Sequence, residues 1–166
     1  MSKNILIYGA GAIGRGYVPW LFKDEEVDLS FVESNKELRN NLLDQGSYTS
    51  FMTNDKGYDS LKVDFKDCLT EHDVNFSIYD GVITAVGPRQ IFELRDSLSK
   101  FDCPVLFFEN DSSLPDQLAS LTGSSNFYFG IPDVITSNTA PDKLLDHDPL
   151  SITTESGISF ADQSAF

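Results

Sequence analysis

Six consecutive residues near the start of this 166-residue chain have the types and spacing for chemistry: Gly9-Ala10-Gly11-Ala12-Ile13-Gly14. They form a G-x-G-x-x-G run. It follows an apolar stretch, Asn4–Tyr8, that reads as a buried strand, and it precedes a helical pattern. In that setting the first glycine permits a tight turn, the second lets a pyrophosphate approach the backbone, and the third lets the helix pack on the sheet. A helix N-terminus adds unpaired N–H groups and a partial positive charge, which suit a dianionic diphosphate. Glu33 ends the second apolar strand, 19 residues beyond Gly14. A carboxylate there accepts both hydroxyls of an adenosine ribose and repels a 2′-phosphate, favouring NAD over NADP. Glycine turns also serve plain strand–helix packing, and Glu33 also reads as a solvated strand end.

Two later strand ends should open on the same crevice, because ligands sit at the carboxyl ends of parallel strands. One is Ala85-Val86-Gly87, where a glycine could admit a ribose or phosphate. The other is Glu109-Asn110, whose amide could face the nicotinamide half of a cofactor. The competing readings are a helix-entry glycine and an ordinary turn.

The elements that must hold these residues alternate in period. Asn4–Tyr8, Asp28–Glu33, Gly81–Val86, Pro104–Phe108 and Asn126–Phe129 read as buried strands. Helical patterns follow at Ala12–Phe22, Lys36–Gln45, up to Leu98, and Leu114–Leu121. Pro19 conflicts with the first helix, since it lacks an N–H and should shorten or kink it. Tyr48–Thr53 and Tyr58–Phe65 alternate with period two around Asn54-Asp55-Lys56-Gly57, a hairpin turn signal. Leu150–Thr154 is a further strand. The expected fold is α/β: a Rossmann-like, doubly wound, mainly parallel sheet with helices on both faces and a small inserted β-hairpin. One domain spans residues 1–166.

Composition supports a globular chain, with 40% hydrophobic and 23% charged residues. Twelve Lys and Arg against 26 Asp and Glu give a net charge of −14, which argues against nucleic acid or an anionic membrane as partner. Two cysteines cannot make a disulfide framework, and no apolar run is long enough for a signal peptide or a membrane span. A cytoplasmic protein is expected.

Other groupings carry weaker chemistry. Tyr58-x-x-x-Lys62 matches a short-chain dehydrogenase pair but lies beside a turn instead of on a late helix. Asp142, Asp146, His147 and Asp148 share a proline-bounded loop and read as solvated, so no metal is expected. Neither Cys68 nor Cys103 has an obvious base beside it.

The run Gly9–Gly14 with its Arg15-Gly16 extension, followed by Thr84-Ala85-Val86-Gly87-Pro88 and Glu109-Asn110, resembles the N-terminal domain of mannitol-1-phosphate 5-dehydrogenases and related polyol dehydrogenases. The resemblance continues more weakly through Pro132–Ile135 and Ile152–Glu155. It implies NAD-dependent interconversion of a sugar alcohol, often phosphorylated, and its keto sugar. By that resemblance Gly9, Gly11 and Gly14 hold the pyrophosphate, with Ala10, Ala12 and Ile13 as the rest of the turn. Glu33 takes the adenosine ribose, while Val86, Gly87 and Asn110 border the nicotinamide half. Arg15 reaches a phosphate or, as a helix residue, makes a surface ion pair.

Family members also have a second, helical domain with a catalytic Lys, an Asn five positions on and a His three further. None of the eight Lys here begins that pattern. The resemblance therefore predicts a cofactor domain with no catalytic residue of its own, inactive when isolated, and self-associating through the apolar face a second domain would cover. The rival readings are a noncatalytic NAD-binding or sensing module and a methyltransferase.

Overall fold

The computed structural model describes residues 1–54, 57–132, 135–137 and 150–155. Six strands form a wholly parallel sheet: β1 (Lys3–Tyr8), β2 (Val27–Val32), β5 (Asp67–Leu69), β6 (Gly81–Thr84), β7 (Val105–Phe107) and β8 (Phe127–Phe129). Their spatial order is β5-β2-β1-β6-β7-β8, so the strand sequence reverses between β1 and β6. That is the doubly wound Rossmann arrangement, and the reversal opens a crevice at the strands' carboxyl ends.

Alternation along β1 shows why the sheet is covered twice. Ile5 and Ile7 enter one core cluster with Phe31, Leu42 and Val18. Leu6 and Tyr8 enter the other with Val82, Phe107, Ile91 and Leu118. Successive side chains on a strand point to opposite faces, so a near-continuous apolar strand needs helices on both sides. Helix α2 (Lys36–Gln45) packs into the first cluster. Helices α3 (Pro88–Glu93), α4 (Arg95–Leu98) and α5 (Leu114–Thr122) pack into the second. Phe107 and Phe108 divide between the clusters in the same way.

Local signals set the ends of α2. The Asn35 side chain accepts from the Leu38 N–H at 3.1 Å. Gly46 then stops the helix in the left-handed region at φ +75°.

The first helix differs from the uniform α-helix expected over Ala12–Phe22. A π-helical turn, Ala12–Tyr17, runs into a short α1, Val18–Leu21, and the Val18 N–H reaches back five residues to the Ile13 carbonyl. Pro19 explains the departure, because it has no N–H for the Arg15 carbonyl four residues earlier. The Tyr48 hydroxyl donates to that carbonyl at 2.6 Å, and the Ser50 hydroxyl donates to the Gly16 carbonyl at 2.6 Å.

Both hydroxyls come from a second sheet, of four strands. Strands β3 (Ser47–Asn54) and β4 (Gly57–Asp64) form the expected hairpin, whose turn residues 55 and 56 lie outside the described residues. Strand β10 (Ile152–Glu155) pairs in parallel with β3, Ile152 opposite Ser50, and β9 (Ile135–Ser137) pairs antiparallel with β10. The hairpin is thus half of a four-stranded sheet packed against the first helix. Among the described residues, no helix is long and apolar enough to cross a membrane.

Candidate functional site

A cleft of about 490 Å³ opens at the carboxyl ends of β1, β2 and β6. Of the residues the sequence singled out, Gly9, Gly11, Glu33 and Val86 line it. Each glycine of the turn answers a different demand. Gly9 takes φ +93°, and a Cβ there would lie 2.5 Å from the Ala85 carbonyl oxygen. A Cβ at Gly14 would overlap the Gly9 carbonyl, so this residue lets the helix close on the turn. Gly11 has neither constraint: its φ is −76°, and a Cβ there would meet nothing within 4 Å. Gly11 lines the cleft, and the space beside its Cα is open.

Ala10 is fully buried, and the Ile13 side chain packs on the core, so only their main chains face the turn. Of the first N–H groups of the helix beginning at Ala12, that of Arg15 donates to the Gly11 carbonyl at 2.9 Å, while those ahead of it have no acceptor within the helix.

Glu33 bridges two loops. Its Oε2 accepts from the Ala10 N–H and its Oε1 from the Asn35 N–H, both at 2.8 Å. A carboxylate has about four acceptor positions, so two bonds leave capacity for ribose hydroxyls. Glu71 and Glu93 also line the cleft. Three carboxylates around one mouth would repel an additional phosphate there.

Glu109 acts in a way the sequence reading missed. It is 5% exposed and accepts from the Thr84 hydroxyl at 2.9 Å and the Val86 N–H at 3.3 Å. It therefore ties the end of β7 to the turn at residues 85–87. Burial raises its carboxyl above the ordinary 4.5, while the Thr84 and Val86 bonds oppose the rise. Only its position beside Asn110 marked it in sequence. Gly87 takes φ +99° as the residue before α3, outside the cleft lining. Asn110 is exposed at φ +41° and also lies outside that lining.

Arg15 requires a correction. It lies outside the cleft lining and away from the surface, at 5% exposure. Its side chain is buried; Nη1 donates to the Ala10 carbonyl and Nε to the Leu150 carbonyl at 2.9 Å. Glu71, Gln90, Glu93 and Leu94 are lining residues that sequence reasoning did not identify. Glu71 follows β5, whose three residues are too few for a period to show.

The remaining groupings lie elsewhere. Tyr58 is exposed on β4 of the second sheet. Burial, reinforced by the Glu33 carboxylate, pushes the Cys68 thiol up to about 12, which suppresses the reactive thiolate. The Asp142–Asp148 group lies outside the described residues. Among the described residues no cluster of three or more His, Cys, Asp or Glu could hold a metal ion.

Comparison with known proteins gives three kinds of match. The family model of the mannitol dehydrogenase Rossmann domain matches residues 3–102. A mannitol-1-phosphate 5-dehydrogenase of Mycoplasma pneumoniae is 25% identical over 152 residues, covering 83% of this chain and 40% of that protein. Octopine dehydrogenase, solved with NADH and L-arginine, superposes with a TM-score of 0.72 at 10% identity, covering 92% of this chain and 39% of its own. D-mandelate dehydrogenase, solved with NADH and anilino(oxo)acetate, gives 0.66 at 15% identity, covering 91% and 45%. The two solved structures share the fold, and this chain spans less than half the length of each relative.

Proposed function

Because the chain belongs to the mannitol dehydrogenase Rossmann-domain family, we propose that it is the NAD-binding half of an oxidoreductase that interconverts a sugar alcohol and its keto sugar. Mannitol 1-phosphate and fructose 6-phosphate are the pair we assign, on the similarity to the Mycoplasma pneumoniae enzyme.

The observation that supports cofactor binding most is Gly11. Neither its backbone angle nor any neighbouring atom requires a glycine, yet it lines the cleft with open space beside its Cα. A diphosphate lying on that backbone supplies the missing reason. Glu33 would take the adenosine ribose through the acceptor positions left by Ala10 and Asn35. Glu71 and Glu93 add the charge that favours NAD over NADP. Val86, held by Glu109, would border the path towards the nicotinamide.

Bound NAD supplies the carbon that accepts or returns the hydride. The residues of this chain bind and orient; the groups that move the hydroxyl proton are assigned to the portion of the enzyme that the relatives have beyond this span.

The test is an assay of the full gene product with NADH, following absorbance at 340 nm. Fructose 6-phosphate should be reduced faster than fructose or pyruvate. Reduction of a 2-keto acid in preference to the sugar phosphate would overturn the polyol assignment and leave the cofactor reading standing.

A further inference from the structure

The Arg15-Gly16 extension of the glycine run has a structural role that bears on the cofactor, and the inference rests on the cofactor reading above. Arg15 is 5% exposed and outside the cleft lining, yet its guanidinium reaches back to the Ala10 carbonyl in the middle of the turn. The Ala10 N–H is held by Glu33 at 2.8 Å. Both polar groups of Ala10 are therefore gripped by charged side chains, one on each side of the turn.

A trans peptide is planar, with its C=O and N–H pointing in opposite directions. The peptide joining Ala10 to Gly11 has its carbonyl turned inward to Arg15. Its N–H, which belongs to Gly11, then points away from Arg15, and Gly11 lines the cleft. We propose that Arg15 is a positioning residue that keeps this peptide from flipping, so that a bound pyrophosphate meets the Gly11 N–H instead of the Ala10 carbonyl oxygen.

Arg15 is itself fixed by Tyr48 of β3 and by Leu150, just ahead of β10. Nε donates to the Leu150 carbonyl, and the guanidinium carbon lies 5.9 Å from the Tyr48 ring centroid. Gly16 permits this approach, because a Cβ there would overlap the Ile152 side chain of β10. The residues after the third glycine are thus a socket for strand β10, and the socket's arginine sets the geometry of the turn.

The experiment compares ADP with adenosine, which lacks any phosphate, by calorimetry or ligand-observed NMR on the wild-type chain and on Arg15→Met, Arg15→Lys and Arg15→Gln. Arg15→Met and Arg15→Gln should weaken ADP at least tenfold and leave adenosine within twofold. Arg15→Lys, which offers one donor point in place of a fork, should fall between. If Arg15→Met does not fold, the milder Arg15→Lys decides by the same ratio. Parallel losses for ADP and adenosine, or no loss of ADP, would overturn the proposal while sparing the cofactor reading. A wild-type chain that binds neither ligand would overturn both.

Discussion

The Ala10 N–H donates to Glu33 Oε2 at 2.8 Å, which makes the glycine turn after β1 and the acid after β2 one hydrogen-bonded unit. The carboxylate shapes the turn, and under the proposed function its remaining acceptor positions would take a ribose. Glu33→Gln keeps one acceptor oxygen and loses the charge. Hydrogen bonds to charged groups contribute about 1.5–3 kcal/mol, so NADH affinity should fall about tenfold or more. Discrimination against NADPH should narrow as well, since the replacement no longer repels a 2′-phosphate. Parallel titrations with both nucleotides measure this, and an unchanged NADH-to-NADPH ratio would contradict it.

The glycines of the turn should separate by experiment. Gly14→Ala places a Cβ against the Gly9 carbonyl and should lower both the melting temperature and NADH affinity. Gly11→Ala meets nothing within 4 Å and suits its φ of −76°, so the fold should be as stable as wild type or slightly more so. Its NADH binding should nevertheless fall sharply, because the new methyl enters the diphosphate space. Thermal melts beside fluorescence titrations check the contrast; equal melting losses for the two variants would refute it.

Much of this was legible because its causes are local. Glycines next to an apolar strand announce the turn, Asn35 and Gly46 bound α2, and Glu33 lies at the spacing set by one strand–helix–strand unit. What stayed hidden is long-range. Arg15 meets Leu150, 135 residues away, and Ile152 of β10 pairs with Ser50 of β3; no periodicity reports which distant strand will cover a helix. The π-turn is a middle case. Pro19 signalled trouble in the helix, but the remedy came from Tyr48 and Ser50 on a sheet that the sequence showed only as a hairpin.

That remedy is testable by itself. Tyr48→Phe removes the hydroxyl on the Arg15 carbonyl and leaves a buried acceptor without that donor. The expected loss is about 1–3 kcal/mol. Pro19→Ala restores a backbone N–H four residues beyond Arg15, so Tyr48→Phe should be less damaging in that background. A double-mutant cycle by urea denaturation measures the coupling, and strict additivity would count against the account.

Glu109 should leave a mark on the pH dependence of stability. Its folded pKa is raised by burial, so the native state holds the proton more tightly than the unfolded chain does. The resulting stability is fully present below the ordinary value of 4.5 and is lost as pH rises through the folded value. Glu109→Gln can still accept from Val86 and does not titrate. The difference in unfolding free energy between wild type and this variant should therefore shift against the wild type as pH rises from 4.5 towards neutrality. Denaturation at a series of pH values gives that difference, and a flat or opposite slope would contradict the role assigned to burial.

The most direct test of the whole account is titration of NADH, and separately of NADPH, into the 166-residue chain at fixed ionic strength, read by calorimetry and nicotinamide fluorescence. The account predicts saturable, one-to-one NADH binding that is at least tenfold tighter than NADPH binding. No heat and no fluorescence change at millimolar NADH, or NADPH binding the tighter of the two, would contradict it.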